Sequence, residues 1–560
     1  MKVLRLTLFF VLCAISVNAS ENEVVRGTNG MVVSRSIIAS KVGSEIMRAG
    51  GNAIDAAVAT AFALAVTHPA AGNLGGGGFM VIHLANGKVI TNDHREKAPA
   101  AAGRDMYLDE NGDVIENLST TSHLASGVPG SVAGLLEVLA SYGTMKRENV
   151  IAPAIKLAEN GFPLDDDLAQ SFGTYLEVFK EHAATFSKFT RKDGTEYQPG
   201  DVWKQPDLAK TLHRISRQGR DGFYKGKTAD LLVKEMHSGN GLITYEDLAE
   251  YRSVWRDPIH GTYKGHDIYS MAPPSSGGVL IVQMLNMLEP YDLKSAGFNA
   301  ASTVHRMIEA ERRAFADRAE HLGDSDYYSV PVSKLISKQY ARDRFADFDA
   351  KQSSLSSEIG HGQWANESMQ TTHLSTMDKA GNAVAYTTTL NLTYGSKIVV
   401  TGAGFLLNNE MDDFSIKPNT PNSFGLIGRE ANAIEPGKRM LSSMSPTIVV
   451  KGSKPILITG SPGGSRIITT VLQVVLNVIE HGMDLGLAVS APRFHHQWVP
   501  NQVLYERHGL SLNTLAALKG KGHQNMVAVD ELGWANSIMR IDDEMYGSSD
   551  PRTNGGSAGF

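Results

Sequence analysis

Residues 371–391 read TTHLSTMDKAGNAVAYTTTLN, the pattern of a β-hairpin. Thr371 to Met377 is rich in β-formers, Asp378-Lys379-Ala380-Gly381-Asn382 supplies turn residues, and Ala383 to Leu390 returns as the second arm. The polar loop Asn366-Glu367-Ser368-Met369-Gln370 precedes it, so a hydroxyl residue heads the first strand. If the Gln370–Thr371 bond were cut, Thr371 would carry both a nucleophile and a general base. Its hydroxyl would attack, and its freed α-amine, with an ordinary pKa of about 7.7–8.0, could take the proton near neutral pH. Taken alone, the same residues also suit a purely structural Thr-rich hairpin.

Working outward, Lys351 to Gln370 is Ser/Gly/Gln-rich and poor in large apolar residues, so it is the expected linker. Before it, residues 32 to 68 read as Ala-rich helix. Ser40 to Arg48 ends at Gly50-Gly51, and Ile54 to Val66 is apolar enough to be buried on most sides. Asn73 to Gly78 is a glycine run that leads into a strand from Phe79 to Leu84. Further helices are expected at Ala133–Tyr142, Ile151–Asn160 and Ala300–Ala316. After the linker, strands are expected at 371–377, 383–390, 398–407, 446–451 and 455–460, then a helix from Ile467 to Glu480. Helices, then strands, then a covering helix imply a layered α/β architecture.

The chain starts Met1-Lys2-Val3-Leu4-Arg5, continues with apolar Leu6 to Val17 and reaches Val17-Asn18-Ala19. A charged start, a short apolar core and small residues near the end make a secretory signal peptide cut after Ala19. The apolar stretch is too short to be a comfortable membrane anchor, and no later segment approaches about 18 uninterrupted apolar residues. The one cysteine, Cys13, lies inside that leader. The mature chain therefore has no cysteine nucleophile, cysteine-ligated zinc, iron–sulfur cluster or disulfide. Loss of Lys2 and Arg5 takes the formal charge from −6 to −8, and no basic run marks a nucleic-acid surface.

Several signatures are excluded. Gly222 to Thr228 resembles a P-loop ending with the glycine spacing one residue short. There is no H-E-x-x-H, and the adjacent His495-His496 are expected to be structural, so no metal site is expected. Other clusters can carry chemistry. Thr459-Gly460-Ser461-Pro462-Gly463-Gly464-Ser465-Arg466 joins a strand to a helix, where converging N–H groups could hold an oxyanion or simply make a tight turn. Asn408-Asn409-Glu410-Met411-Asp412-Asp413 gathers carboxylates that could bind an amine or form a solvated turn. Ser442-Ser443 offers paired hydroxyls, and Arg95 suits a carboxylate partner or a surface pair with Glu96.

Together these segments resemble the γ-glutamyltranspeptidase family of N-terminal-nucleophile hydrolases. The resemblance runs from about Gly30 to the end through GGNAIDAAVATAFAL, NLGGGGFM, HREKAPA, the TTH hairpin, LLNNEMDDFS, RMLSSMSPT, GSPGGSRI and GSSDPR. It implies a four-layer αββα sandwich and self-cleavage at Gln370–Thr371, giving a large subunit of residues 20–370 and a small one of 371–560, with no cofactor. Thr371 would then attack glutathione or another γ-glutamyl compound, and the glutamyl group would pass to water or to an amino-acid or peptide acceptor. By resemblance, Thr389 orients the nucleophile and Gly463 and Gly464 form the oxyanion hole. Arg95, Ser442 and Ser443 clamp the substrate α-carboxylate, while Asn391, Glu410 and Asp413 receive its α-amine. Phe424 stands where several bacterial relatives carry a lid tyrosine. Two alternatives stay open: a glutaryl acylase, and an exported amino-acid-binding protein that never matures. The leader favours the periplasm, although Asn117-Leu118-Ser119 would be a glycosylation sequon in a eukaryote.

Overall fold

The computed structural model describes residues 24–359, 371–417 and 420–560. The leader and Gln370 lie outside these residues. At the centre, strands Thr372–Asp378 and Ala383–Thr389 pair antiparallel, with Thr372 opposite Thr388 and Met377 opposite Ala383. The turn closes because Asp378 Oδ1 accepts from Asn382 N–H at 3.0 Å and Gly381 supplies a φ of +93°.

Strand alternation assigns each face of the hairpin. Leu374 and Tyr386 enter a helix-covered core, whereas Met377 and Ala385 enter the core between two sheets. The first sheet has seven strands in the order Gly556–Gly559, Gly30–Ser34, Thr372–Asp378, Ala383–Thr389, Gly77–His83, Val89–Asp93, Val254–Arg256. The second also has seven: Val25–Gly27, Glu544–Ser549, Asn536–Ile541, Lys454–Thr459, Thr447–Lys451, His266–Ser270, Ile259–Tyr263. Met31, Val33 and Val81 of the first meet Ile448, Ile458 and Ile538 of the second, and all six are fully buried.

Helices cover both outer faces. Ala53–Thr67 and Ser131–Tyr142 pack over Leu374 and Val384, while Gly277–Leu288 and Arg466–Ile479 pack over Ile268, Val449 and Leu457. The result is the expected αββα layering. Every residue of Ala53–Thr67 is buried, and Asn52 with Asp55 forms a capping box at its start. Helix Ile37–Arg48 lies against it at Gly43, where a Cβ would stand 2.2 Å from Thr60 Oγ1.

Three expectations need correction. Residues 32–34 belong to strand Gly30–Ser34 and not to helix; Met31-Val32-Val33 is an apolar run with two β-branched residues, buried on both faces. Residues 398–407 form a folded loop with one Val399–Leu406 bridge, because Gly402 and Gly404 both take positive φ and reverse the chain. Within the expected linker, residues 353–356 are pinned. Ser353 N–H donates to Lys521 O, Ser354 N–H to Glu309 Oε1, and Ser356 Oγ receives Arg312. His495 and His496 are structural as expected: both are buried, bonded to Thr469, Gln497 and Asn501, and His496 accepts from Trp498 N–H. Among the described residues no helix is long and apolar enough to cross a membrane.

Candidate active site

The head of the central hairpin opens into a narrow cleft of about 20 Å³ at the carboxyl end of strand Ala383–Thr389. Thr371, Thr389, Asn391, Arg95, Glu410, Asp413, Ser442, Ser443, Gly464 and Phe424 all line it. Ten positions spread over 370 residues of sequence therefore meet at one place. Gly463 sits next to this wall and not in it.

The hairpin register explains the first pair. Thr371 and Thr389 each lie one residue beyond Thr372 and Thr388, so they face one another on the side turned towards the second sheet. Thr371 is 5% exposed. Thr389 Oγ1 accepts from Asn391 N–H at 2.7 Å, which directs its own proton away from that bond. Asn391 has a φ of +76°, a left-handed conformation that asparagine tolerates better than most residues. Its Nδ2 donates to Asn409 O at 2.9 Å, and its buried Oδ1 has no partner among the described residues. An unpaired buried acceptor in a cleft is costly unless a ligand donates to it.

The glycine turn supplies the opposite wall. It follows strand Lys454–Thr459 and starts helix Arg466–Ile479, with Gly463 at φ +131° and Gly464 at φ +55°. The Arg466 and Ile467 N–H groups return to the Gly463 and Gly464 carbonyls, so helical pairing begins after the two glycines. The N–H groups of Gly463 and Gly464 donate to no group among the described residues. Free amides at a helix N-terminus suit a developing negative charge. Phe424 closes this side with its ring against Gly464, where a Cβ would come 2.5 Å from Phe424 Cδ1. Gly464→Ala is therefore expected to displace the ring and strain the turn. It should lower turnover by about 10²-fold or more with little loss of folded protein, a result steady-state kinetics beside a melting curve would check.

The polar end of the cleft differs from the simplest expectation for its arginine. Arg95 is 1% exposed and holds Glu410 Oε2 with Nη1 at 2.5 Å and Asp413 Oδ2 with Nη2 at 2.5 Å. Its Nε donates to Met440 O at 3.3 Å, and Glu96 stands 3.6 Å away. Ser442 and Ser443 share the cleft without bonding this guanidinium. Arg95 thus faces three carboxyls, with Glu410 and Glu96 fully buried and Asp413 partly so. Burial works against the Arg95 charge, yet Glu410, Glu96 and Asp413 hold it above its ordinary range. Burial pushes Glu410 well up and Glu96 to about 8, against the pull of Arg95. Asp413 rises to about 6 for the same reason. This surplus of acid would be relieved by an added cation.

Three contributors escaped the sequence. Arg318, in helix Ala301–His321, is buried, donates from Nε to Ser276 Oγ at 3.0 Å and reaches Ser443 Oγ at 3.5 Å. Burial lowers its pKa to about 10 against the pull of Asp413. Glu96 was read only as a surface partner and is fully buried. Asn422 ties the Phe424 loop to the site by donating to Asp413 Oδ1 at 2.9 Å. No pattern marks Arg318, because charges on a long amphipathic helix normally signal a solvated face.

A family model described as gamma-glutamyltranspeptidase matches residues 39–560. The chain is 52% identical over 532 residues to a glutathione hydrolase proenzyme of Escherichia coli K12, covering 94% of this chain and 91% of that protein. It superposes on the crystal structure of a cephalosporin acylase from Bacillus halodurans with a TM-score of 0.87 at 28% identity, covering 99% of both chains. It matches a γ-glutamyltranspeptidase structure from Helicobacter pylori at 47% identity and a TM-score of 0.58, covering 60% of this chain and 97% of that one. On sequence and fold, this chain is a member of the γ-glutamyltranspeptidase family.

Proposed function

We propose that this chain is a γ-glutamyltransferase and glutathione hydrolase, made as a precursor that cuts itself at Gln370–Thr371. The observation that carries this is the amphoteric end of the Thr371 cleft. The Arg95 guanidinium and two serine hydroxyls stand beside the Glu410 and Asp413 carboxyls and an Asn391 amide oxygen with no partner among the described residues, which suits a head group carrying both a carboxylate and an ammonium.

In maturation, Thr371 Oγ attacks the carbonyl of residue 370. The peptide C–N bond breaks as an ester forms, which frees the Thr371 amine, and water then hydrolyses the ester to a carboxylate on residue 370 and restores the Thr371 hydroxyl. The two pieces stay together because strand Thr372–Asp378 lies between Gly30–Ser34 and Ala383–Thr389, so both pieces are woven into one sheet. In turnover, the substrate α-carboxylate meets Arg95, Ser442 and Ser443, and its ammonium meets Asn391 Oδ1, Glu410 and Asp413. The zwitterion enters the Arg95–Glu410 and Arg95–Asp413 pairs and exchanges them for contacts of the same sign pattern. Thr371 Oγ attacks the γ-carbonyl, its proton passes to the α-amine, and the oxyanion rests on the Gly463 and Gly464 N–H groups. The leaving amine takes the proton, and water or an acceptor amine resolves the ester. Export by the leader, with cleavage after Ala19, belongs to the same proposal.

The glutaryl acylase reading draws support from the acylase superposition. A glutaryl group has no ammonium, so it would leave Asn391 Oδ1 and the surplus acid unmet. Faster release from a glutaryl anilide than from a γ-glutamyl anilide would decide for the acylase. A purified precursor that stays uncut and releases neither anilide would sink both enzymes.

A pH dependence follows from Asp413. Its carboxyl titrates near 6 because burial disfavours the anion. As pH falls through 6 it takes a proton and loses its attraction for the substrate ammonium. We expect KM for a γ-glutamyl anilide to rise below pH 6 in the parent enzyme, and this acid limb to vanish in Asp413→Asn, whose KM is high at every pH. An acid limb that survives the substitution would assign it to another group.

A further inference from the structure

Both Nη groups of Arg95 are held by Glu410 and Asp413, so this guanidinium does not direct the Ser442 and Ser443 hydroxyls. Ser442 Oγ accepts from Met444 N–H at 3.2 Å, and Ser443 Oγ accepts from Arg318 Nη2 at 3.5 Å. Neither hydroxyl donates to a group among the described residues. A hydroxyl that accepts from the protein keeps its one proton for a partner in the cleft. For Ser443 the group that sets this direction is Arg318.

Arg318 lies in helix Ala301–His321 and is 5% exposed. Among the described residues its hydrogen bonds go to two hydroxyls and to no carboxylate. A buried guanidinium without a bonded acid is costly and seldom serves packing alone. Its Nε donates to Ser276 Oγ at 3.0 Å, and Ser276 Oγ donates in turn to Ser442 O at 2.7 Å. A carbonyl can only accept, so the direction of both bonds is fixed. Ser276 precedes helix Gly277–Leu288, where a serine hydroxyl ordinarily caps the helix, yet it makes no such bond. The hydroxyl turns to Arg318 and Ser442 instead, while Ser276 N–H also donates to Ser442 O at 2.8 Å. Arg318 therefore reaches both serines, one directly and one through Ser276. Its charge acts as well. The charged groups around Asp413 are Arg95 and Glu96 beyond strand Val89–Asp93, Glu410 and Asp412 from its own turn, and Arg318. Burial and then Asp412 disfavour the Asp413 anion, while Arg95 and Arg318 favour it.

We propose that Arg318 is a positioning residue for substrate binding: it aims the Ser442 and Ser443 hydroxyls at the α-carboxylate and supplies a second positive charge opposite Asp413. This role rests on the γ-glutamyl reading above and deepens it. Arg318 does not itself line the cleft, so it acts through the serines and through its charge. Its removal should have two separable effects. The carboxylate site loosens, and Asp413 becomes easier to protonate.

The test compares a γ-glutamyl anilide with the same anilide whose α-carboxylate is amidated. In Arg318→Gln, measured well above the acid limb, the KM for the anilide should rise about tenfold, the scale of a hydrogen bond to a charged group. The kcat and the KM for the amidated substrate should change little. The acid limb of KM should also move up from near pH 6 by about one pH unit, because the Asp413 anion has lost a positive neighbour. Arg318→Lys keeps the charge and loses the fork, so its KM should rise while its acid limb stays near pH 6. Ser276→Ala keeps the charge and removes the link to Ser442. It should raise the KM for the anilide about threefold with the limb unmoved. An unchanged KM or an unmoved limb in Arg318→Gln overturns the proposal. An equal rise in KM for both substrates also overturns it, since general damage to the fold would do that. So does a limb that moves as far in Arg318→Lys as in Arg318→Gln. If Arg318→Gln fails to mature, an unchanged KM in Ser276→Ala overturns it instead. A parent enzyme that releases no anilide is a different result, the failure of the γ-glutamyl reading.

Discussion

Thr371→Ala should leave the precursor as one uncut chain and reduce anilide hydrolysis below detection. Two losses coincide in this one substitution. Without Oγ there is no attack on the carbonyl of residue 370, so the α-amine that would serve as base never forms. Without Oγ there is also no acceptor for the glutamyl group. Removing a nucleophile that works as a unit with its base costs on the order of 10⁶ in turnover. The fold should survive, because residue 371 precedes the paired strand and its side chain lines the cleft. Intact mass and a melting curve would check this, with the parent chain giving two polypeptides. Thr371→Ser, which keeps the hydroxyl, should still cut itself at a reduced rate. An alanine variant that matures normally would remove the hairpin from the mechanism.

Arg95→Ala should be the most damaging change outside the hairpin, acting on both stability and binding. The guanidinium is buried against Glu410 and Asp413 at 2.5 Å each, with Glu96 at 3.6 Å. Deleting one partner of a buried pair leaves uncompensated charge and costs about 3–5 kcal/mol. Here the carboxylates can relax by taking protons, so the folding penalty should grow as pH rises. The sign follows from linkage. Glu96, already raised to about 8 by burial, rises further without Arg95, and a carboxyl whose folded pKa exceeds its unfolded one loses stability as pH climbs between the two. The melting temperature of Arg95→Ala should therefore fall more steeply from pH 5 to pH 8 than that of the parent. Truncating one side of a buried recognition pair costs about 2–5 kcal/mol, so kcat/KM should drop roughly 30- to 4000-fold. Arg95→Lys keeps charge but not the two-pronged geometry and should recover stability better than kcat/KM. Equal recovery of both would argue that Arg95 is only structural.

Much of the site was legible because its residues sit at element boundaries with strong local signals. Gly463-Gly464 at a strand-to-helix turn, Asn391 past a strand end and the Glu410–Asp413 carboxylates each stand out by type and position. The helices at 53–67, 131–142 and 466–479 follow from apolar patterning, and the hairpin from its turn residues and β-formers. The strand at 30–34 and those after residue 530 were harder. Short runs buried on both faces, such as Met31-Val32-Val33, carry no alternation to separate strand from helix. The folded loop at 398–407 misled because its residues favour strand while its glycines reverse the chain.

What the sequence determined by itself is the chemistry available to this protein: a threonine that can gain an amine, glycines that can free their amides, and the helices and hairpin that hold them. Those properties are local, written in side-chain type and neighbouring residues. Only the tertiary structure decided which charges meet. Arg95 turns to Glu410 and Asp413 and not to the serines, Glu96 goes inside, and Arg318 arrives from another layer to stand beneath Ser443. The reason is physical: in a water-poor cleft the energy of each charge depends on partners hundreds of residues away, and burial alone sets how strongly they act on one another.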